Sequence, residues 1–153
     1  MSLIRKSVEV DVPVSAAYRE WTRFTELTRF LPGVREVRPL DGNRFYWRAE
    51  IATVERMWEL AITEQVPEER IAWQTRSGLK TWGSVSFESL SPLRCRVTFE
   101  MHYDPRSFFE FVGDYLGVAG RWVGRGLENF REMMEEADPR SRRLPPQEEL
   151  VGH

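Results

Sequence analysis

Over the first twelve residues, Ile4, Val8, Val10 and Val12 fall on one parity and Arg5, Ser7, Glu9 and Asp11 on the other. Such alternation marks a strand with one buried face, and Pro13 ends it. From Val14 the period changes. Val14, Ala17, Tyr18 and Trp21 recur at spacings of three and four, which predicts a short helix with one apolar side. A second short helical piece is expected over residues 24–30, before Pro32-Gly33. Strand-like runs follow near 34–40, 44–51, 54–66, 71–76, 81–90 and 94–103, most of them separated by turn residues. Connections this short predict antiparallel neighbours.

The same alternation predicts registers, because a slip of one residue turns every side chain to the other face. Pairing Ile51 with Val54 sets Ala49 opposite Arg56, Trp47 opposite Trp58 and Phe45 opposite Leu60, with one apolar face on both strands. Pairing Val66 with Ile71 across residues 67–70 brings Glu64 to Trp73. Across residues 91–93, Phe87 meets Val97 and Val85 meets Phe99. If Ile71 meets Val85, Trp73 lies over Gly83, where the missing side chain leaves room for an indole. The inner face then carries Phe45, Trp47, Trp58, Leu60, Ile62, Trp73, Val85, Phe87, Val97, Phe99, Met101 and Tyr103.

After Pro105-Arg106, the run Ser107-Phe108-Phe109-Glu110 has capping-box spacing, and a helix is expected from there to about Ala137, before Pro139. Phe108, Val112, Tyr115, Ala119, Trp122, Val123, Phe130 and Met133 share one face of it, which must lie on the sheet. The fold class is therefore α+β, with about seven curved antiparallel strands wrapped around a long C-terminal helix. Residues 1–137 form the domain, and 138–153, polar with the basic run Arg140, Arg142 and Arg143, are expected to be a mobile tail.

Composition sharpens this picture. Of 153 residues, 12% are aromatic, six of them tryptophan, more than a small domain needs merely to fill its interior. Cys95 is the single cysteine, and with only His102 and His153 it makes no metal-site pattern, so neither a metal nor a cofactor is expected. Net charge is −2, which builds in no long-range attraction to nucleic acid. The polar start and the lack of any run of about 20 apolar residues give the expectation of a cytoplasmic protein without membrane insertion.

Several stretches carry a likeness to a known family: Val10-Asp11-Val12-Pro13-Val14, Trp21-Thr22 with Phe24, Phe30-Leu31-Pro32-Gly33-Val34, and Trp47-Arg48-Ala49-Glu50-Ile51. It continues through Trp58, Ile62-Thr63-Glu64-Gln65-Val66-Pro67 and Arg70-Ile71-Ala72-Trp73. The chain resembles the START-like, or SRPBCC, superfamily over residues 4–137, and within it the polyketide cyclase/dehydrase and coenzyme Q-binding members. The resemblance implies a helix-grip fold with a deep cavity that carries lipids, quinones or polyketides and, in some members, steers cyclisation. It implies no shared catalytic set, because fold likeness warrants a pocket and not a reaction.

Within that frame the candidate ligand-binding residues are Trp47, Arg56, Trp58, Trp73, Phe99, Tyr103, Tyr115, Ala119 and Trp122. The tryptophans serve either as core or as the walls of an aromatic-lined cavity. Arg56 and Glu64, turned inward by the proposed registers, need partners or water, and Arg56 would suit a ligand carbonyl or carboxylate. The tyrosines would supply hydroxyls or simply fill core. Glycines 113, 117, 120 and 124 line one flank of the long helix, where they admit a close neighbour. Gly126 and Ala119 lie mid-face, where a trough would open. Cys95 reads as a buried thiol, and Arg35, Arg38, Arg44 and Arg48 as members of a mixed-charge face.

The expected function is binding or carriage of an apolar or aromatic small molecule. The alternatives are a polyketide cyclase/aromatase or dehydratase using the same cavity, and a protein-interaction module of the ribosome-associated toxin type. No catalytic constellation is visible, and the sequence leaves the oligomeric state open.

Overall fold

Seven strands form one antiparallel sheet in the order β1-β7-β6-β5-β4-β3-β2 in the computed structural model, which describes residues 2–51, 53–78, 80–106 and 118–137. In chain order these are β1 (Ser2–Val10), β2 (Val34–Pro39), β3 (Arg44–Ile51), β4 (Val54–Val66), β5 (Arg70–Ser77), β6 (Thr81–Ser91) and β7 (Arg94–Tyr103). Helix α1 (Val14–Thr22) and a 3-10 segment (Phe24–Arg29) lie between β1 and β2, and α2 (Val118–Ala137) follows the sheet. This is the helix-grip arrangement: a curved sheet whose concave face holds the C-terminal helix.

The periodicities act as expected in most of the sheet. β3 and β4 pair Ile51 with Val54, Ala49 with Arg56, Trp47 with Trp58 and Phe45 with Leu60. β6 and β7 pair Phe87 with Val97 and Val85 with Phe99, and β5 places Trp73 on Gly83. A Cβ on Gly83 would stand 2.0 Å from the Glu100 carbonyl oxygen and 3.0 Å from Trp73 Cζ2, so backbone and indole both occupy the space a side chain would need.

The β4–β5 register differs from the expected one. Val66 pairs with Arg70, Gln65 with Ile71 and Glu64 with Ala72, while Ile62 meets Trp73 across an irregularity at Thr63. The extra residue of this bulge resets the parity of β4, which the alternation rule assumes to be unbroken. Glu64 consequently points outward, exposed, and its carboxylate pairs with Arg70 Nε at 2.7 Å. The connection is three residues long. In the four-residue turn 66–69, Pro67 sits at the second position, Glu68 adopts φ 62°, and Glu69 N–H donates to the Val66 carbonyl, as in a type II turn.

The helical turn after β7 also opens earlier than expected. Pro105 and Arg106 are already helical, and the Asp104 carboxylate accepts from Arg106 N–H at 3.0 Å, as an N-cap does. The proposed capping box, Tyr115, Gly113, Gly117 and the expected tail at 138–153 lie outside the described residues.

α2 is fixed to the connection preceding β2 by its own side chains. Trp122 Nε1 donates to the Pro32 carbonyl at 2.7 Å, and Asn129 Nδ2 to the Phe30 carbonyl at 3.0 Å. Between them lies Gly126, where a Cβ would stand 3.2 Å from Leu31 Cδ2. Gly126 is therefore a docking point for Leu31 and Pro32 rather than part of a trough. Gly120 and Gly124 lie under the aliphatic stem of Lys6, whose Cε and Cδ are 3.7 and 3.6 Å from the Cβ positions they lack. The close neighbour on that flank is a lysine side chain.

One end of the interface between sheet and helices is solid. Val10, Cys95, Val97 and Phe130 are fully buried, and Trp21, Phe30 and Phe130 meet ring to ring at 5.0 to 5.5 Å. Outside, Arg35, Arg38, Arg44 and Arg48 each pair with a neighbouring carboxylate, forming a mixed-charge face.

Candidate binding cavity

At the other end of that interface the core is hollow. A cavity of ≈ 140 Å³ lies between the concave face, α2 and the short helical pieces after β1. From the sheet it is lined by Phe45, Trp47, Ile51, Trp58, Leu60, Ile62, Ile71, Trp73, Thr81, Val85, Phe99 and Met101. α2 contributes Val118, Ala119 and Trp122, and the segment between β1 and β2 adds Trp21, Phe24, Leu27 and Leu31.

The wall is held rigidly by ring contacts. Trp47 and Trp58, cross-strand partners, stack at 5.8 Å with 23° between their planes. Trp73 lies against Phe99 at 6.0 Å, in the gap that Gly83 leaves, and Phe24 meets the edge of Phe45 at 5.0 Å. Opposite these large rings, α2 presents Ala119, 7% exposed. Bulky walls on one side and a methyl group on the other leave the space between them unfilled.

The chemistry of the wall is almost wholly apolar. No described lining residue carries an ionisable side chain, and Thr81 supplies the one hydroxyl among them. The remaining polar groups are indole N–H donors. That of Trp122 is engaged with Pro32, whereas those of Trp21 and Trp47 are buried without a hydrogen-bond partner. No group of three His, Cys, Asp or Glu able to hold a metal ion occurs among the described residues.

Of the residues singled out from the sequence, Trp47, Trp58, Trp73, Phe99, Ala119 and Trp122 are brought together around this cavity. Arg56 and Tyr103 are not among its lining residues. Arg56 sits opposite Ala49 near the β3–β4 hairpin tip, half-buried, and Tyr103 ends β7, half-buried between Ser2 and Thr81 of the flanking strands. Both have the inward parity, yet neither borders the hollow, although Ile51, nearer the same hairpin tip, and Thr81, the cross-strand partner of Tyr103, do. His102 faces outward, stacked on the exposed Trp82 at 5.3 Å. Cys95 lies in the solid end, where burial pushes its thiol up from 9.0 to about 11. The sequence reading missed the third wall, Trp21, Phe24, Leu27 and Leu31. The signal was present in the apolar face ending at Trp21, which had to cover something.

The sequence and the fold place the chain among known proteins. Residues 10–131 match the family described as polyketide cyclase / dehydrase and lipid transport. An uncharacterized 17.2 kDa protein of Streptomyces lincolnensis, from the melC2–rnhH intergenic region, is 36% identical over 137 residues, covering 89% of this chain and 91% of that protein. Among solved structures, the Zhui aromatase/cyclase from Streptomyces sp. R1128 superposes with a TM-score of 0.76 at 13% identity, over 88% of this chain and 93% of that one. A START superfamily protein from Mycobacterium smegmatis gives 0.65 at 14% identity, over 88% and 94%. At such identities the structural likeness speaks for the fold. The match over residues 10–131 carries the assignment: the chain belongs to the polyketide cyclase/dehydrase and lipid transport family.

Proposed function

We propose that the protein binds and carries an apolar or aromatic small molecule, lipid-, quinone- or polyketide-like, in this cavity, and that it does so in the cytoplasm. The supporting observation is the hollow itself. Protein cores are packed like organic crystals, and an unfilled cavity costs about 24 cal/mol per Å³. For ≈ 140 Å³ that is about 3 kcal/mol, a large share of the ~5–15 kcal/mol by which a domain is stable. A ligand that fills the space recovers the lost contacts. A dry apolar cavity of this size accepts a ring the size of benzene, so a single ring, or one end of a longer molecule, fits without rearrangement.

The described wall favours binding over catalysis. A cyclase or dehydratase needs a group that moves a proton or polarises a carbonyl, and of the candidates for that work Arg56 and Tyr103 are not on the described wall, while Tyr115 lies outside the described residues. Native mass spectrometry of protein purified from its own host tests the reading, together with titration of an apolar naphthalene dye that quenches the wall tryptophans. The expected result is a co-purifying apolar molecule and saturable quenching. Ligand-free protein combined with non-saturable quenching would overturn it.

A further inference from the structure

On the outer face of the sheet, one corner gathers apolar side chains and free cations. Leu3 of β1, His102 of β7, Trp82 of β6 and Gln74 of β5 follow one another across four strands, each paired in register with the next. Leu3 is 52% and Trp82 42% exposed, and the Trp82 indole lies stacked on the His102 ring at 5.3 Å with 7° between the planes. A lone exposed leucine needs no explanation. A leucine, an imidazole and an indole in one row form a patch, and such patches rimmed by polar groups mark interaction sites.

The charge at this corner is uncompensated. Thr75 and Thr81 close the β5–β6 pairing, the Thr75 hydroxyl accepting from Thr81 N–H at 2.9 Å and donating to the Thr81 carbonyl at 3.0 Å. Arg76 and Lys80 follow on either side of that pair, and since Thr81 pairs with Tyr103, Arg106 lies just past the end of the adjoining strand. All three cations are exposed, and none forms an ion pair with a described residue. By contrast, Arg35, Arg38, Arg44 and Arg48 on the far side of the sheet all have carboxylate partners. The carboxylates nearest in register are engaged: Asp104 accepts from Arg106 N–H at 3.0 Å, and Glu100 stands 3.7 Å from Arg5 and 3.5 Å from His102. The whole chain carries −2, so this local excess does not follow from a basic composition.

Indole and aliphatic groups flanked by cations suit the surface of an anionic bilayer. Tryptophan settles at headgroup depth, and each nearby Lys or Arg adds attraction to anionic lipid. A single-stranded nucleic acid would engage the cations and the indole but has nothing to place on Leu3. The location also fits a lipid surface. Thr81 and Met101, next in the chain to Trp82 and His102, line the cavity, so this corner is continuous with the wall that receives an apolar molecule.

We infer that the corner formed by Leu3, Trp82, His102, Arg76, Lys80 and Arg106 docks the protein on an anionic phospholipid surface. Such docking goes beyond the binding reading, since it brings the cavity to the place where apolar molecules are stored.

Flotation of the full chain with phosphatidylcholine vesicles, with and without about 30% phosphatidylglycerol, tests this. The expected result is partitioning onto the anionic vesicles that is lost at high salt, with little onto the neutral ones. Arg76→Gln combined with Lys80→Gln is expected to lower the partition coefficient roughly twentyfold, at about fivefold per cation, and Trp82→Ala to lower it as well. These side chains are exposed, so the variants are expected to keep the melting temperature and dye uptake of the wild type, which assigns the loss to the surface. Wild type and variants that partition alike would overturn the inference, as would a wild type that ignores anionic vesicles or prefers a single-stranded oligonucleotide to them. Each of these outcomes leaves the binding reading standing, because dye uptake is measured without vesicles.

Discussion

The two ends of β7 face the same helical layer and meet it in opposite ways. At its start, Cys95 and Val97 are fully buried beside Val10 and Val8 of β1, and α2 brings Phe130, also fully buried, to the same end of the core. At its finish, Phe99 and Met101 stand on the wall of a hollow, and α2 presents Ala119 and Val118. The hollow end holds the larger side chains, with Trp47, Trp58 and Trp73 on the sheet. Emptiness there does not come from a shortage of bulk. It comes from rings locked against one another, from Gly83 drawing Trp73 down onto the sheet, and from a methyl group where the helix would otherwise supply a large residue. One end stabilises the fold, and the other uses part of that stability to keep a space open.

This division is broken most severely at the solid end. Phe130→Ala removes a ring that touches both Trp21 and Phe30, and is expected to lower the unfolding free energy by about 3–5 kcal/mol in urea titrations. A loss below about 1 kcal/mol would show that this end is not close-packed.

The Cys95 thiol offers a test by pH. Burial raises its pKa in the folded protein, so the fold holds this proton more tightly than the unfolded chain and stability falls as pH rises through the window from 9.0 to about 11. Fully developed, the effect is about 3 kcal/mol, and it is expected to vanish in Cys95→Ala once the variant's stability at pH 7 is taken as its baseline. Parallel pH–stability curves for the two proteins would contradict the placement.

At the hollow end the effects are on binding. Trp58→Ala is expected to weaken uptake of an apolar probe at least tenfold, whereas Trp82→Ala, on the outer face and 42% exposed, leaves it unchanged. Equal losses would mean that the two faces had been exchanged. Smallest of all is Glu64→Ala. Its exposed ion pair with Arg70 is worth less than about 1 kcal/mol, so the variant is expected to melt within a few degrees of the wild type.

The pattern of legibility follows the same physics. The β3–β4 register could be read because alternation runs unbroken on both strands from Phe45 to Leu60, and only one pairing puts apolar on apolar. The β4–β5 register could not, since the bulge at Thr63 has no glycine to mark it and Glu68 takes a positive φ without being glycine or asparagine. Gly83 under Trp73 was legible as a register consequence. Gly126 was not, because its partner, the connection holding Leu31 and Pro32, is ninety-odd residues away and has no period to align. For the cavity, parity identified the inner-face tryptophans but does not say which inward side chains border the hollow, so Arg56 and Tyr103 were grouped with them although neither lines it. The wall from Trp21 to Leu31 was hidden because a helical face shows that something is covered without showing what.

The central claim is that the space facing Ala119 is a binding cavity, and Ala119→Phe tests it in one pair of measurements. In a filled core the added ring would overpack and cost roughly 1–3 kcal/mol or more. In a cavity of ≈ 140 Å³ it is accommodated and takes the ligand's place. Thermal unfolding and titration of the naphthalene dye, run side by side on wild type and variant, are expected to give nearly equal melting temperatures and a loss of dye binding of tenfold or more. A melting temperature lowered by many degrees, or a stable variant that still binds the dye like the wild type, would contradict the account.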